Sequence, residues 1–145
     1  MTIAVSAEVL RQIHAHGEQA YPEEGAGLLL GRRAGGRKQV VQILGLANTR
    51  EDGSRRNRYL LSPQDYLWGE EQAEQSGLEV LGVFHSHPDH PNLPSEYDLE
   101  WAWPSFFYVI TSLRAGQAID SRAWLLADDR SGFEEEPIEV YQAQP

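Results

Sequence analysis

The sequence predicts an α/β (α+β) fold, a mixed β-sheet flanked by helices on both sides. Three observations carry this. Runs of strand length recur at 26–32, 39–46, 79–85 and 106–111. Segments with helical spacing and capping residues fall between them, at 6–21, 62–76 and 95–103. The chain has 145 residues and no Cys, which suits a single domain, 1–145, that buries a core without disulfides.

Ser6 can cap a helix running to about Tyr21, with Val9, Leu10, Ile13 and Ala20 on one face. Ala26 to Arg32 reads as a strand, Ala34-Gly35-Gly36 as a turn, and Gln39 to Leu46 as the returning strand. Asn48 to Asn57 is a polar, Arg-rich loop, followed by a short strand at Tyr59-Leu60-Leu61. Ser62-Pro63 opens a helix with a capping Ser and Pro at its first position, and Gly77 stops it. Glu79 to His85 is the central strand. Ser95 to Trp103 is a helix stopped by Pro104. Phe106 to Thr111 is a strand rich in aromatic and β-branched residues. Ala123 to Ala127 and about Ile138 to Tyr141 are later strands, with a turn at Asp128–Gly132.

Composition narrows the function classes. The absence of Cys excludes thiol nucleophiles and Cys-ligated structural zinc. The net charge of −10 argues against a nucleic-acid partner. No basic-then-apolar leader and no membrane-length window is evident, so no membrane partner is expected and a cytoplasmic protein is. Charge is uneven: of the 12 Lys and Arg, eight lie between Arg32 and Arg58. That window reads either as a solvated hairpin and loop or as an edge that docks an acidic protein partner. The acidic excess elsewhere also fits a high-salt habitat.

One stretch concentrates the chemistry: His85-Ser86-His87-Pro88-Asp89-His90-Pro91-Asn92-Leu93-Pro94-Ser95-Glu96-Tyr97-Asp98. It follows the apolar run Val80–Phe84. On a strand, residues i and i+2 share a face, so His85 and His87 emerge side by side at the strand end. Two imidazoles and a carboxylate form a known ligand set for catalytic zinc, which keeps one position open for water. Ser95-x-x-Asp98 also has a plain reading as a helix N-cap with an acidic third residue. Either half alone is weak evidence; together they need two coincidences within one short stretch.

The pattern H-x-H, seven residues, S, two residues, D resembles the motif of the JAMM/MPN metalloprotease family. The segment Glu24-Gly25-Ala26-Gly27-Leu28-Leu29-Leu30-Gly31 is similar to the family's E-x-C-G-L-L-x-G, with Ala26 where many relatives carry Cys. That Cys is not a ligand. The resemblance implies a cytidine-deaminase-like architecture and one Zn²⁺ held by His85, His87 and Asp98. It further implies Glu24 as general base and acid, and hydrolysis of an amide or isopeptide carbonyl. Glu23 is the rival base, but neighbouring strand positions face opposite ways, and the family pattern favours Glu24. Ser95 fits a donor to the developing oxyanion better than a nucleophile. His90 is expected on the loop surface, as is Asp89. Trp101, Trp103, Phe106 and Phe107 are expected in the core.

The resemblance implies a ubiquitin-like or sulfur-carrier (ThiS- or MoaD-like) protein substrate, since little chain separates Asp98 from the next strand and a long ubiquitin-clamping insertion has no room there. A non-catalytic MPN-type interaction module and a RadC-like DNA-associated protein are the alternatives. Zinc content with cleavage of a Gly-Gly-linked substrate separates the first from the second, and salt-dependent DNA binding tests the third.

Overall fold

The computed structural model describes residues 2–46, 62–103 and 106–142. Its elements follow the order β1 (Thr2–Ser6), α1 (Ala7–Ala20), β2 (Ala26–Ala34), β3 (Arg37–Leu46), α2 (Pro63–Gln75), β4 (Glu79–Pro88), α3 (Glu96–Trp101), β5 (Phe107–Arg114), β6 (Gln117–Leu126), β7 (Phe133–Glu136) and β8 (Ile138–Tyr141). The expected Arg-rich loop, the strand at Tyr59–Leu61, the stop at Pro104 and the side chain of Trp101 lie outside the described residues. No helix among those described is long and apolar enough to cross a membrane.

The strands form one mixed sheet in the order β7-β6-β5-β4-β2-β3-β1-β8. β4 and β5 run parallel, as do β1 and β3, and β1 and β8; the other pairs are antiparallel. β7 and β8 are separated in sequence by Pro137 alone, yet they occupy opposite edges. The sheet must therefore curl until its edges nearly meet. Ile3 N–H donates to Pro137 O at 3.2 Å, extending the β1–β8 pairing to the connecting residue. α1 lies against one face, where Val9 and Ile13 pack with Ile3, Val5, Val40, Phe84 and Phe107. α2 and α3 lie on the other, where Ala73 and Leu99 pack with Ala26, Leu28, Val83 and Tyr108.

The capping residues act as expected. Ser6 Oγ accepts from Val9 N–H at 3.1 Å, and Ser62 forms a reciprocal capping box with Asp65 behind Pro63. Gly77 ends α2 at φ +68°. Gly17 is buried inside α1 for a different reason. A Cβ there would sit 3.1 Å from Ser86 Cβ and 3.3 Å from Leu113 Cδ1, so its absence lets α1 close directly onto β4.

Several expectations need correction. β1 precedes the predicted helix; three apolar residues gave no period, and pairing with β3 and β8 makes the strand. β6 begins at Gln117 rather than Ala123, and β5 runs on to Arg114. The missed turn is Ala115-Gly116, with φ +52° and +83°, the positive pair that a two-residue hairpin requires. The Glu134–Glu136 run is part of edge strand β7, where charge discourages pairing with another chain. α3 ends at Trp101, not Trp103. Phe107 is core, but Trp103 is 45% exposed, stacked on Phe106 and tilted against Tyr66. The expected basic edge is partly spent: Arg33 pairs with Glu79, Arg37 pairs with Glu139, and Lys38 is buried with its ammonium 5.0 Å from the Phe107 ring centre.

Candidate metal centre

β4 carries both imidazoles on the face covered by α2 and α3. Val83, two residues earlier, belongs to that cluster, while Phe84 packs towards α1. His85 and His87 thus share a face, with ring centres 5.1 Å apart. Both are buried. β2 runs antiparallel beside β4, with Ala26 opposite His85. The ladder continues past the strand, because Ser86 N–H donates to Gly25 O at 3.0 Å. One further step sets Glu24 against His87. Cross-strand partners point the same way, so Glu24 turns towards the imidazoles and Glu23 away from them. Glu24 lies just before β2, not within it, and is 4% exposed.

α3 supplies the remaining carboxylate. Ser95 caps it: Ser95 Oγ accepts from Asp98 N–H at 3.1 Å, and Asp98 Oδ2 accepts from Ser95 N–H at 2.8 Å. This reciprocal box fixes the Asp98 carboxylate. Its Oδ1 lies 3.3 Å from His85 Nε2 and its Oδ2 lies 3.3 Å from His87 Nε2. The cap is therefore what aims the carboxylate at the imidazoles. Glu24, His87 and Ser95 line one cleft of ≈ 530 Å³, with His90, Pro91, Leu93, Glu96 and Tyr97 around it.

Electrostatics separate the two carboxylates. Burial pushes Glu24 up to about 8; Asp98 adds to this and His87 opposes it. Burial would raise Asp98 as well, but the imidazoles and the Ser95 N–H outweigh it and hold the group far below the usual carboxylate range. Burial lowers His85. It opposes charge on His87 too, yet the Asp98 carboxylate and the Pro91 carbonyl raise that residue. His87 Nδ1 donates to Pro91 O at 2.8 Å, because a carbonyl can only accept. In the neutral ring Nε2 then presents its lone pair to Asp98 and Glu24.

This donor chemistry fits a divalent cation of borderline softness: two imidazole nitrogens, a fixed anion and an orienting carbonyl behind one ring. Glu24, His85 and His87 also bring three ligand atoms within 4.8 Å of one another. The histidine pair is common to both candidate sets, and either carboxylate could complete it.

The remaining expectations divide. His90 is exposed and lines the cleft rim. Asp89 is not merely solvated. It sits at φ +56° and accepts from Tyr21 O–H at 2.6 Å and Ala115 N–H at 2.8 Å, tying the loop after His87 to the segment before Glu24. Sequence reasoning missed Ser86. Its buried hydroxyl accepts from Gly25 N–H at 2.8 Å and so fixes the residue after Glu24. The available signal was a polar residue on the core-facing side of a buried strand, which demands a partner.

A family model for prokaryotic homologs of the JAB domain matches residues 6–127. A probable TtuB-protein conjugate cleaving protease of Thermus thermophilus is 31% identical over 118 residues, covering 79% of this chain and 75% of the relative. A desampylase of Pyrococcus furiosus is 36% identical over 70 residues, covering 47% of this chain and 46% of that protein. The solution structure of a Desulfitobacterium hafniense protein superposes with a TM-score of 0.84 at 32% identity, covering 97% of this chain and 94% of the other. A JAB1/MPN domain protein of Archaeoglobus fulgidus shares the fold at a TM-score of 0.59 and 20% identity, over 97% of both chains. The matched span takes in Glu24, His85, His87, Ser95 and Asp98, and the chain belongs to the family of prokaryotic JAB/MPN-like domains.

Proposed function

We propose that this protein is a zinc-dependent metallopeptidase. It hydrolyses amide or isopeptide bonds at the C-terminal tail of ubiquitin-like or sulfur-carrier proteins of the ThiS or MoaD kind. The observation that supports this most is the convergence of His85, His87 and Asp98 opposite a buried Glu24 with an open cleft between. The relatives' names, conjugate-cleaving protease and desampylase, support the substrate class.

His85, His87 and Asp98 would hold the ion. A zinc ion bound there would supply a water of lowered pKa as the nucleophile and a Lewis acid for the substrate carbonyl. Glu24 takes the proton lost as the nucleophile attacks, then delivers it to the departing amine. Burial favours the protonated form that delivers a proton to the amine, and a bound cation would favour the carboxylate that takes one up. Ser95 Oγ spends a lone pair on Asp98 N–H and retains its own hydroxyl proton. That proton can be donated to the developing oxyanion. Asp98 stays anionic throughout, and His87 keeps its orientation through Pro91.

The test is cleavage of a fusion in which a Gly-Gly-ended ubiquitin-like protein is joined to a lysine side chain. Zinc-loaded protein should cleave at the tail, a chelator should stop it, and added zinc should restore it. A chain that binds the fusion without cleaving it in either state is an interaction module.

Ser95 gives a sharper test. Ser95→Ala should cost about 0.5–2 kcal/mol through the lost cap. At saturating zinc it should also lower kcat by about 10²–10³ with KM nearly unchanged. A variant that melts earlier but turns over normally would reduce Ser95 to a cap.

A further inference from the structure

Helix α3 has six residues, too few to hold themselves in a helix. Its first turn is fixed by the Ser95–Asp98 box. Its last turn is fixed from far away in sequence. Arg130 Nη1 donates to Ala102 O at 2.5 Å, and Nη2 donates to Leu99 O at 2.9 Å and to Glu100 O at 3.2 Å. These are carbonyls that a helix end leaves without intrahelical donors. A cation there also opposes the negative end of the helix dipole. The fork of a guanidinium can reach three carbonyls at once; an ammonium cannot do so in the same geometry.

The turn is built to present that side chain. Arg130 sits at φ +61°, in the left-handed region that side chains rarely occupy. Arg130 N–H donates to Ala127 O at 2.8 Å, Ala127 N–H donates to Gly132 O at 3.0 Å, and Ser131 N–H donates to Asp129 Oδ1 at 2.9 Å. Just past α3, Ala102 is buried and Tyr108 Oη accepts from Trp103 N–H at 2.7 Å. The helix is thus clamped at both ends, and Asp98 belongs to the first clamp, whose position the second one backs.

We infer that Arg130 is a positioning residue for the metal centre: by capping the C-terminal end of α3 it holds the Asp98 carboxylate against His85 and His87. The inference rests on the metallopeptidase reading above. The Arg130 guanidinium donates to the backbone carbonyls of Leu99, Glu100 and Ala102, so it acts through the helix backbone.

The test is zinc affinity, measured by competition with a chromophoric chelator on wild type, Arg130→Ala, Arg130→Lys and Val5→Ala. Val5 is buried against α1 on the opposite face of the sheet, so its truncation lowers overall stability without touching α3. Arg130→Ala should weaken zinc binding about 10–100-fold, the usual effect of removing a group that orients a ligand. Arg130→Lys should restore part of that loss. Val5→Ala should melt earlier with zinc affinity unchanged. The visible spectrum of the cobalt-substituted protein should shift in Arg130→Ala alone. Should Arg130→Ala not fold, Arg130→Lys must still weaken zinc binding by more than Val5→Ala does. Zinc affinity within twofold of wild type in both Arg130 variants overturns the inference alone, as does an equal loss in Val5→Ala. A wild-type chain that takes up no zinc overturns the metallopeptidase reading itself.

Discussion

Glu24→Gln should keep its zinc and lose about 10²–10⁴-fold in kcat, the range over which a positioned acid–base group contributes. The substitution preserves shape and removes the group proposed to carry the proton. Glu24 stands opposite His87 by strand register and lines the cleft beside Ser95. Burial, its largest influence, pushes it up to about 8 without a metal, so in that state it holds its proton at neutral pH. A divalent cation at the imidazoles would stabilise the carboxylate and draw the group back into its working range. Zinc affinity should stay within a few-fold of wild type, because Asp98 already spans both Nε2 atoms. Glu23→Gln is the paired control and should turn over normally, since Glu23 faces the other way. An inactive Glu23→Gln beside an active Glu24→Gln would mean the ladder past Ala26 slips by one residue. Loss of zinc in Glu24→Gln would make Glu24 a ligand.

The difference between those glutamates shows what the residues alone could decide. His85 and His87 were legible because period two on a strand is local geometry. Ser95 and Asp98 were legible because a cap and its third residue are local too. The choice of Glu24 over Glu23 came from the family pattern; the physical relation that bears on it is the register between β2 and β4, which spans some sixty residues. The same limit explains the missing strands. Ile3-Ala4-Val5 and Phe133–Glu136 carry little periodic signal of their own and become strands by pairing at the sheet's margins. Arg130 was read as part of a turn, which it is, but its guanidinium acts on carbonyls up to 31 residues earlier in the chain. Trp103 misled in the opposite direction. Its size suggests burial, yet α3 ends two residues before it and leaves it on the surface.

Asp98→Asn should weaken zinc binding on the order of 10²-fold or more, and His87→Ala by a similar factor. Structural zinc binding of about 10–16 kcal/mol over four ligands is roughly 3 kcal/mol each, and about 1.4 kcal/mol is tenfold. Asparagine keeps an oxygen for the Ser95 N–H, so the cap of α3 is largely preserved. What it removes is the charge. The environment of Asp98 is arranged to keep that charge: two imidazoles and a backbone N–H overcome burial and hold the carboxyl far below its ordinary range. An anion so fixed loses little when a cation arrives between it and the imidazoles. For Glu24, by contrast, burial is the largest influence and favours the neutral form. The competing set of Glu24, His85 and His87 makes the opposite forecast: Glu24→Gln would then release zinc while Asp98→Asn retained it. Equilibrium dialysis of the two variants side by side distinguishes them. His87→Ala should lose zinc under either set, because the imidazole pair is shared. If His87→Ala and wild type hold equal zinc after dialysis, the ion sits elsewhere, and the alignment of Nε2 through Pro91 serves the fold rather than a metal.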